Sequence, residues 1–174
     1  MQLRHEKTLI TGKPGVGKTT LVQRIIERMG SVKMAGFCTS EIRCRGSRLG
    51  FKLQGLNGGR RTLAHVGIDG QHRVGRYGVD KDGFEEFLAT LDLLNPDIEL
   101  IVIDEIGKME LFSIRFRNLV RNALNADKQV LATIPLKGND FIREIKQRIN
   151  VHLLEVTYAN RDRLPEIIVK GLKT

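Results

Sequence analysis

The sequence predicts an α/β fold in which helices pack on both faces of a mainly parallel sheet. Segments with strand patterns alternate with segments of helical periodicity along the 174 residues, an order typical of right-handed βαβ units. The continuous apolar run at 100–103 indicates a strand buried on both faces, as strands of parallel sheets are. A three-layer α/β/α arrangement follows, and the chain length suits a single domain over residues 1–174.

Each element follows from a local pattern. Short runs rich in apolar and β-branched residues predict strands over residues 7–11, 32–42, 100–103, 129–134 and 151–156. Apolar residues recurring three and four positions apart predict helices over residues 20–29, 82–94, 113–124, 140–149 and 162–172. Residues 43–80 are rich in Gly and Arg, and their short apolar pieces predict a β-hairpin or meander inserted between a strand and a helix.

Composition restricts the classes of function. The net charge of +9 suits polyanionic ligands such as nucleotides or nucleic acids, although a solvated basic surface explains it equally well. Aromatic residues make up only 5% of the chain, which gives little support to stacking platforms for single-stranded nucleic acid. No apolar stretch has the length of a membrane helix, and the first residues lack a signal-peptide core. We therefore expect a cytoplasmic protein.

The two cysteines predict no disulfide and no zinc site. In a reducing compartment Cys38 and Cys44 are expected to be free, buried and inert thiols. The sequence has no CxxC pair, and its four histidines are scattered, which argues against a zinc centre.

The stretch GKPGVGKTT, which follows the first predicted strand and opens the first predicted helix, fits the phosphate-binding pattern GxxxxGK[ST]. Its glycines allow backbone N–H groups to turn inward, and the helix N-terminus behind them favours an anion. We expect Lys18 to reach the β- and γ-phosphates as a catalytic charge and the Thr19 hydroxyl to bind Mg²⁺. The predicted phosphate-binding residues are Gly12, Lys13, Pro14, Gly15, Val16, Gly17, Lys18 and Thr19.

Two adjacent carboxylates, Asp104 and Glu105, end the apolar strand at 100–103. Charges at the end of such a strand are costly to desolvate, and a nearby metal ion offsets that cost. We expect Asp104 to hold Mg²⁺, as a Walker B aspartate does. Side chains alternate along a strand, so Glu105 points elsewhere and is predicted to act as general base for an attacking water. Without the phosphate-binding loop, the pair would be read as the start of an exposed loop.

Arginines of the inserted segment are further candidates. If the hairpin folds over the phosphate-binding loop, Arg43 or Arg48 can supply an arginine-finger charge, and Arg76 is a similar candidate. The alternative for each is a surface arginine paired with an acid such as Glu41. Tyr77 is predicted either to pack on the base or to fill the core.

Residues after two other strands complete the set. Lys108 and Glu110 follow the acidic pair and are predicted either to orient the water and close the site or to form loop surface. Asn160 and Arg161 follow the last predicted strand, where P-loop proteins often contact the base. The alternative there is helix capping, with Asp162 as the N-cap residue and a proline tolerated in the first turn.

Several longer motifs resemble the THEP-type nucleoside-triphosphatases, a small P-loop family. The resemblance is carried by GFCTSEIRCRGSRLGF at 36–51, VGRYGVD at 74–80, DEIGKMEL at 104–111 and NRD at 160–162. It spans nearly the whole chain, whereas the phosphate-binding motif alone fits many P-loop families.

This resemblance implies a RecA-like core of the additional-strand, catalytic-glutamate type. It also implies a small, often monomeric protein that hydrolyses nucleoside triphosphates to diphosphate and phosphate with Mg²⁺, accepting ATP, GTP and other bases. Nucleotide contacts are implied at Gly12–Thr19 and at Leu100, Ile101, Val102, Ile103, Asp104, Glu105, Ile106 and Gly107.

Two other classes of function stay open at this point. One is a nucleoside or small-molecule kinase on the same scaffold, whose acceptor would stimulate turnover. The other is a nucleic-acid-linked ATPase or nucleotide-switched binding module, which the net charge favours and which predicts RNA- or DNA-stimulated turnover with steep salt dependence. A glutamate directly after the Walker B aspartate favours hydrolysis over transfer of the phosphoryl group to a bound acceptor.

Overall fold

The computed structural model describes residues 7–173, which form one nine-stranded sheet with helices on both faces. The strands are β1 (Lys7–Gly12), β2 (Met34–Cys44), β3 (Ser47–Gly55), β4 (Arg60–His65), β5 (Arg73–Val74), β6 (Tyr77–Val79), β7 (Leu100–Asp104), β8 (Gln129–Thr133) and β9 (His152–Val156). The helices are α1 (Lys18–Met29), α2 (Lys81–Ala89), α3 (Ile114–Asn125), α4 (Asp140–Lys146) and α5 (Leu164–Leu172), with a short 3₁₀ turn at Glu110–Phe112.

The centre of the sheet is parallel, with the strand order β2-β7-β8-β1-β9. Strand β8 lies between β1, which leads into the glycine-rich loop, and β7, which ends in the acidic pair. This additional strand between the two is the arrangement expected of a RecA-like core. The predicted three-layer fold class is therefore confirmed.

The inserted segment continues the same sheet instead of standing apart from it. The first part of β2 pairs with β7, and from Phe37 onward β2 pairs with β3 in antiparallel register. Strands β4, β6 and β5 follow beyond β3. The segment between β2 and α2 is thus an antiparallel extension, of which the predicted hairpin is the first part.

Two apolar cores cover the two faces of the sheet. On one face α2, α3 and α4 pack around three fully buried aromatic rings, of Phe37, Phe84 and Phe116, whose centroids lie 5.3 to 6.2 Å apart. On the other face α1 and α5 contribute the buried side chains of Leu21, Val22, Ile25, Leu164, Ile168 and Leu172. Burial on both faces explains the apolar run of β7.

Some helix boundaries differ from the prediction. Helix α2 ends at Ala89, earlier than the predicted end at 94, and its C-cap Thr90 is soon followed by Asp92, which has a positive φ of 44° that ends regular structure. Helix α4 ends at Lys146 and α5 begins at Leu164. The alternative in which Asp162 is the N-cap of α5 is wrong. The cap position is Arg163, and the Asp162 carboxylate pairs with Arg24.

No helix within residues 7–173 combines the length and the apolarity needed to cross a membrane.

Candidate active site

The glycine-rich loop joins β1 to α1 and leaves the start of that helix open. Gly15 and Gly17 have φ angles of 76° and 105°, a left-handed region that favours glycine. No side chain caps the first turn of α1 and no acidic residue lies in it, whereas side chains of Asp80, Ser113 and Asn139 cap α2, α3 and α4. The free backbone N–H groups at this helix start therefore suit a phosphate.

Lys18 folds back over this loop. Its Nζ donates to the carbonyl oxygens of Gly12, at 3.1 Å, and Lys13, at 3.4 Å. The ammonium group therefore lies at the loop, and its charge partly opposes the rise in pKa that burial causes at Asp104 and Glu105. Of the other predicted loop residues, Val16 is buried, and Lys13 and Pro14 are exposed.

Asp104 is buried at the carboxyl end of β7. Its Oδ1 accepts a hydrogen bond from the Thr133 hydroxyl at 2.6 Å, and its backbone oxygen accepts one from the Thr39 hydroxyl at 2.6 Å. Burial raises the pKa of the carboxyl, and the hydroxyls of Thr133 and Thr19 oppose that rise. Strand β8 therefore holds the carboxyl group of Asp104, and strand β2 holds its backbone.

The second carboxylate oxygen of Asp104 has no hydrogen-bond partner among the described residues, and this bears on whether Mg²⁺ fits the site. Within the described chain, Oδ2 is buried and has no hydrogen-bond partner, an arrangement that is costly unless a ligand or ion satisfies the oxygen. The Thr19 hydroxyl lies beside the same carboxyl. Mg²⁺ prefers oxygen donors and is commonly held by only one or two protein groups. Thr19 and Asp104 therefore fit Mg²⁺, as the sequence predicts.

Glu105 and Glu110 face the same small space above Gly107. A Cβ atom built on Gly107 would lie 2.5 Å from Oε1 of Glu105 and 2.9 Å from Oε2 of Glu110. Burial, followed by the charge of Asp104, raises the pKa of Glu105. Burial, followed by the charge of Glu105, raises the pKa of Glu110 well above its usual value. The site thus brings together the carboxyl groups of Asp104, Glu105 and Glu110, and the charge of Lys18 acts on the first two.

These elements surround an open cavity of about 890 Å³, within the size range of small-molecule sites. Its walls come from the glycine-rich loop, the ends of β2 and β7, β3 and the loop after β8. The lining residues are Gly12, Pro14, Gly15, Gly17, Lys18, Thr19, Thr20, Thr39, Ser40, Glu41, Phe51, Asp104, Glu105, Pro135, Leu136 and Lys137.

Only the last part of the 100–107 segment lines this cavity. Asp104 and Glu105 do so, whereas the side chains of Leu100, Ile101, Val102, Ile103 and Ile106 are at most 1% exposed and belong to the core. The nucleotide contacts implied for this segment stay predictions, and Gly107 does not line the cavity either. The apolar residues hold the strand between two layers of helices.

The arginine-finger candidates are engaged elsewhere. Arg43 pairs with the Glu41 carboxylate at 2.5 Å and Arg48 pairs with it at 2.9 Å. Arg76 donates to the Arg48 carbonyl oxygen and lies over the Tyr77 ring. None of the three arginines lines the cavity, although Glu41 does.

Three further candidates, Tyr77, Lys108 and Asn160, do not line the cavity. Tyr77 is buried against the Phe51 ring, at a centroid distance of 5.3 Å, so it fills the core. Lys108 is exposed on the loop after β7. The Asn160 side chain accepts from the Thr157 N–H at 2.8 Å and donates to the Glu155 carbonyl at 2.9 Å, so it shapes its own turn.

The cysteine prediction is correct for one residue and wrong for the other. Both thiols are free, and Cys38 is buried on β2, where burial raises its pKa to about 12. Cys44 is exposed, because it ends β2 beyond the edge of the core.

The sequence motifs assign no role to two site residues, although one of them, Thr39, lies within the motif at 36–51. Thr133 and Thr39 bind Asp104 from β8 and β2, on either side of β7. Their signal is positional: each is a polar residue where an apolar strand reaches the active edge of the sheet, and Thr133 ends the run VLAT. Sequence alone does not give the strand order that brings them together.

Comparison with known proteins identifies the family and agrees with the fold. A family model described as NTPase matches residues 7–169. The chain is 40% identical to the nucleoside-triphosphatase THEP1 of Thermotoga sp. (strain RQ2), over 96% of this chain and 95% of that protein. It is 42% identical to the cancer-related nucleoside-triphosphatase of Homo sapiens, over 95% of each chain.

Solved structures point the same way. The crystal structure of THEP1 from the hyperthermophile Aquifex aeolicus superposes with a TM-score of 0.87 at 38% identity, covering 97% of this chain and 99% of that one. The solution structure of the human cancer-related nucleoside triphosphatase gives a TM-score of 0.81 at 37% identity, covering 97% of each chain. The chain therefore belongs to the THEP-type nucleoside-triphosphatase family of P-loop proteins.

Proposed function

We propose that this protein hydrolyses nucleoside triphosphates to the diphosphate and phosphate, with Mg²⁺ as cofactor and with broad tolerance of the base. The observation that carries the proposal is the meeting of three features in one cavity. The uncapped start of α1 suits a phosphate, and a buried carboxylate oxygen of Asp104 lacks a partner among the described residues. Glu105, the next residue, lines the same cavity. The names of the relatives support the same reaction class.

The binding groups have separate tasks. Backbone N–H groups of the glycine-rich loop hold the β- and γ-phosphates, and the Lys18 ammonium group neutralises charge that grows on them in the transition state. Thr19 and Asp104 would hold Mg²⁺, which would supply positive charge to the phosphate groups during the reaction. Thr133 and Thr39 keep Asp104 in the orientation that this requires.

Glu105 acts on the water. Its carboxylate accepts a proton from a water in line with the γ-phosphorus, while a bond forms between the water oxygen and phosphorus. The bond between that phosphorus and the bridging oxygen breaks, which leaves the diphosphate and inorganic phosphate. The buried setting that raises the pKa of Glu105 makes it a stronger base than an exposed glutamate.

The test is phosphate release from ATP, GTP, CTP and UTP with Mg²⁺, without any acceptor or nucleic acid. We expect Glu105→Gln to lower kcat on each nucleotide about 10²- to 10⁴-fold and to leave nucleotide affinity nearly unchanged. Glu166→Gln, which removes an exposed partner of Lys170 on α5, is the matched control and keeps wild-type rates. EDTA is expected to abolish release.

Three results separate the alternatives. Turnover of Glu105→Gln near the wild-type rate would exclude Glu105 as the base. Release from only one nucleotide would exclude broad base tolerance. Nucleotide binding without release by the wild-type protein would point to a missing acceptor, as in a kinase, or to a missing nucleic acid.

A further inference from the structure

The strand order sets the direction in which a bound nucleotide lies. The groups suited to the terminal phosphate, Asp104 and Glu105, end β7, which is separated from β1 by β8 on one side of the glycine-rich loop. On the other side of β1 lies β9. A triphosphate whose γ-phosphate faces β7 therefore directs its nucleoside toward β9 and the loop that follows it.

The loop after β9 carries a cation–π pair, Tyr158 and Arg161, that nothing in the proposed hydrolysis uses. The Tyr158 side chain is 67% exposed. The Arg161 guanidinium lies 5.0 Å from the centroid of its ring, and Arg161 Nη1 donates to the Val16 carbonyl oxygen at 3.4 Å. The pair is therefore linked directly to the glycine-rich loop, on its β9 side.

The same loop offers few groups for reading a base edge. Both ends of the Asn160 side chain bind the backbone of the loop itself. The Asp162 carboxylate pairs with Arg24 of α1 at 3.4 Å. An open ring face is thus available, while these two side chains, which could discriminate one base from another, are already engaged.

We infer that Tyr158 and Arg161 form the nucleobase platform of this protein, and that it binds the base by stacking without reading its hydrogen-bonding edge. Every base has a π-face, so stacking on an aromatic ring or on a guanidinium tolerates all four bases. The inference deepens the proposed function, because it gives the broad base tolerance a structural cause. It also separates the base contact from the cavity around the phosphates, which neither residue lines.

The test compares nucleotides with inorganic tripolyphosphate, which has the phosphate chain but no base. We expect Tyr158→Ala to raise KM about tenfold for ATP, GTP, CTP and UTP alike, the effect typical of losing one stacked aromatic. KM for tripolyphosphate and kcat on all substrates should stay at wild-type values. Tyr158→Phe keeps the ring and is expected to behave as wild type.

The outcomes that overturn the inference are distinct. Equal loss of tripolyphosphate and nucleotide affinity would mean that the loop supports the phosphate site. A change in the ratio of ATP to CTP affinity would mean that Tyr158 reads base edges. Unchanged KM values would mean that the base lies elsewhere.

Binding of ADP and GDP, measured by calorimetry, tests the platform independently of hydrolysis. If the wild-type protein binds both diphosphates but releases no phosphate, the proposed hydrolysis fails and the platform still stands on its own measurement. We expect Tyr158→Ala to weaken both diphosphates about tenfold and equally. Equal affinity of wild type and Tyr158→Ala for the diphosphates would overturn the inference whatever the turnover.

Discussion

The carboxylates at the end of β7 and the arginines at the β2–β3 turn handle charge in opposite ways. Asp104 and Glu110 are 1% and 3% exposed, and no lysine or arginine within residues 7–173 forms a salt bridge with either. At the turn, two exposed arginines share the Glu41 carboxylate. The pKa of Glu41 is lowered, mainly by its hydrogen bond from Arg48, while burial raises the pKa values of Asp104, Glu105 and Glu110.

This difference distinguishes a candidate active site, at the end of β7, from structural ion pairs on the protein surface. A buried carboxylate without a cationic partner destabilises the fold, so it persists where a ligand or reaction uses it. An exposed ion pair contributes little to the free energy of unfolding, and its charges are already satisfied. The contrast favours the β7 end as the place of chemistry and the arginines as structure.

The largest effect that would sharpen this contrast is expected at Thr133. Thr133→Val removes the hydroxyl that binds Oδ1 of Asp104. We expect a 10- to 100-fold rise in the Mg²⁺ concentration needed for half-maximal phosphate release, the usual loss for a group that orients a metal-binding carboxylate. Thr90→Val, on a hydroxyl that binds only the Phe87 carbonyl of α2, is the control. An unchanged Mg²⁺ requirement in Thr133→Val would count against Asp104 as the metal-side residue.

A smaller effect is expected on stability at Glu110. Its folded pKa is raised above the unfolded value, so the folded state binds the proton more tightly and stability falls as pH rises through the folded pKa. Glu110→Gln does not titrate. We therefore expect this variant to melt higher than wild type at pH 9, by about 3 °C for a gain of about 1 kcal/mol, with the difference shrinking toward pH 5.

Calorimetric melting at both pH values measures this difference. The control is Glu144→Gln, because the pKa of the exposed Glu144 is lowered by its hydrogen bond from Arg121. That variant loses an ion pair and should not gain stability with rising pH. A Glu110→Gln difference that is the same at pH 5 and pH 9 would show that burial does not penalise the charged form here.

The smallest effect is expected at the arginines. Because Arg43 and Arg48 are paired with Glu41, we expect Arg43→Ala and Arg48→Ala to change kcat for phosphate release less than about threefold. An arginine finger contributes about 10³-fold or more, so a loss of that size in either variant would break the comparison. Arg121→Ala, which removes an exposed guanidinium of α3 that pairs with Glu144 of α4, gives the baseline for losing an arginine away from the cavity.

The sequence is informative where chemistry is local. The glycine-rich loop, the acidic pair and the alternation of strands and helices each lie within a short stretch, and their placement at the carboxyl ends of the strands follows from the parallel topology. The sequence predicts Glu110 either at the site or on the loop surface. Its burial against Gly107 depends on the 3₁₀ turn after β7. The site roles themselves stay predictions.

What the sequence does not give depends on contacts between distant segments. Thr39 and Thr133 reach Asp104 across 65 and 29 positions of the chain, so no window of sequence contains both. The pairing of Arg24 with Asp162 spans 138 positions, and the cap position of α5 is Arg163 instead of the alternative Asp162. The sequence does not mark Tyr158 as a candidate base contact. A lone tyrosine has no distinguishing pattern until the structure shows the loop after β9 beside the glycine-rich loop.

Strand β8 acts as a spacer. Neighbouring strands of a sheet lie about 4.8 Å apart, so placing β8 between β1 and β7 sets those two strands about 10 Å apart. This spacing leaves room for a phosphoryl group, a cation and a water between the ends of β1 and β7. With β7 directly beside β1, the spacing would be halved. The width of the proposed site is therefore built into the backbone of the sheet.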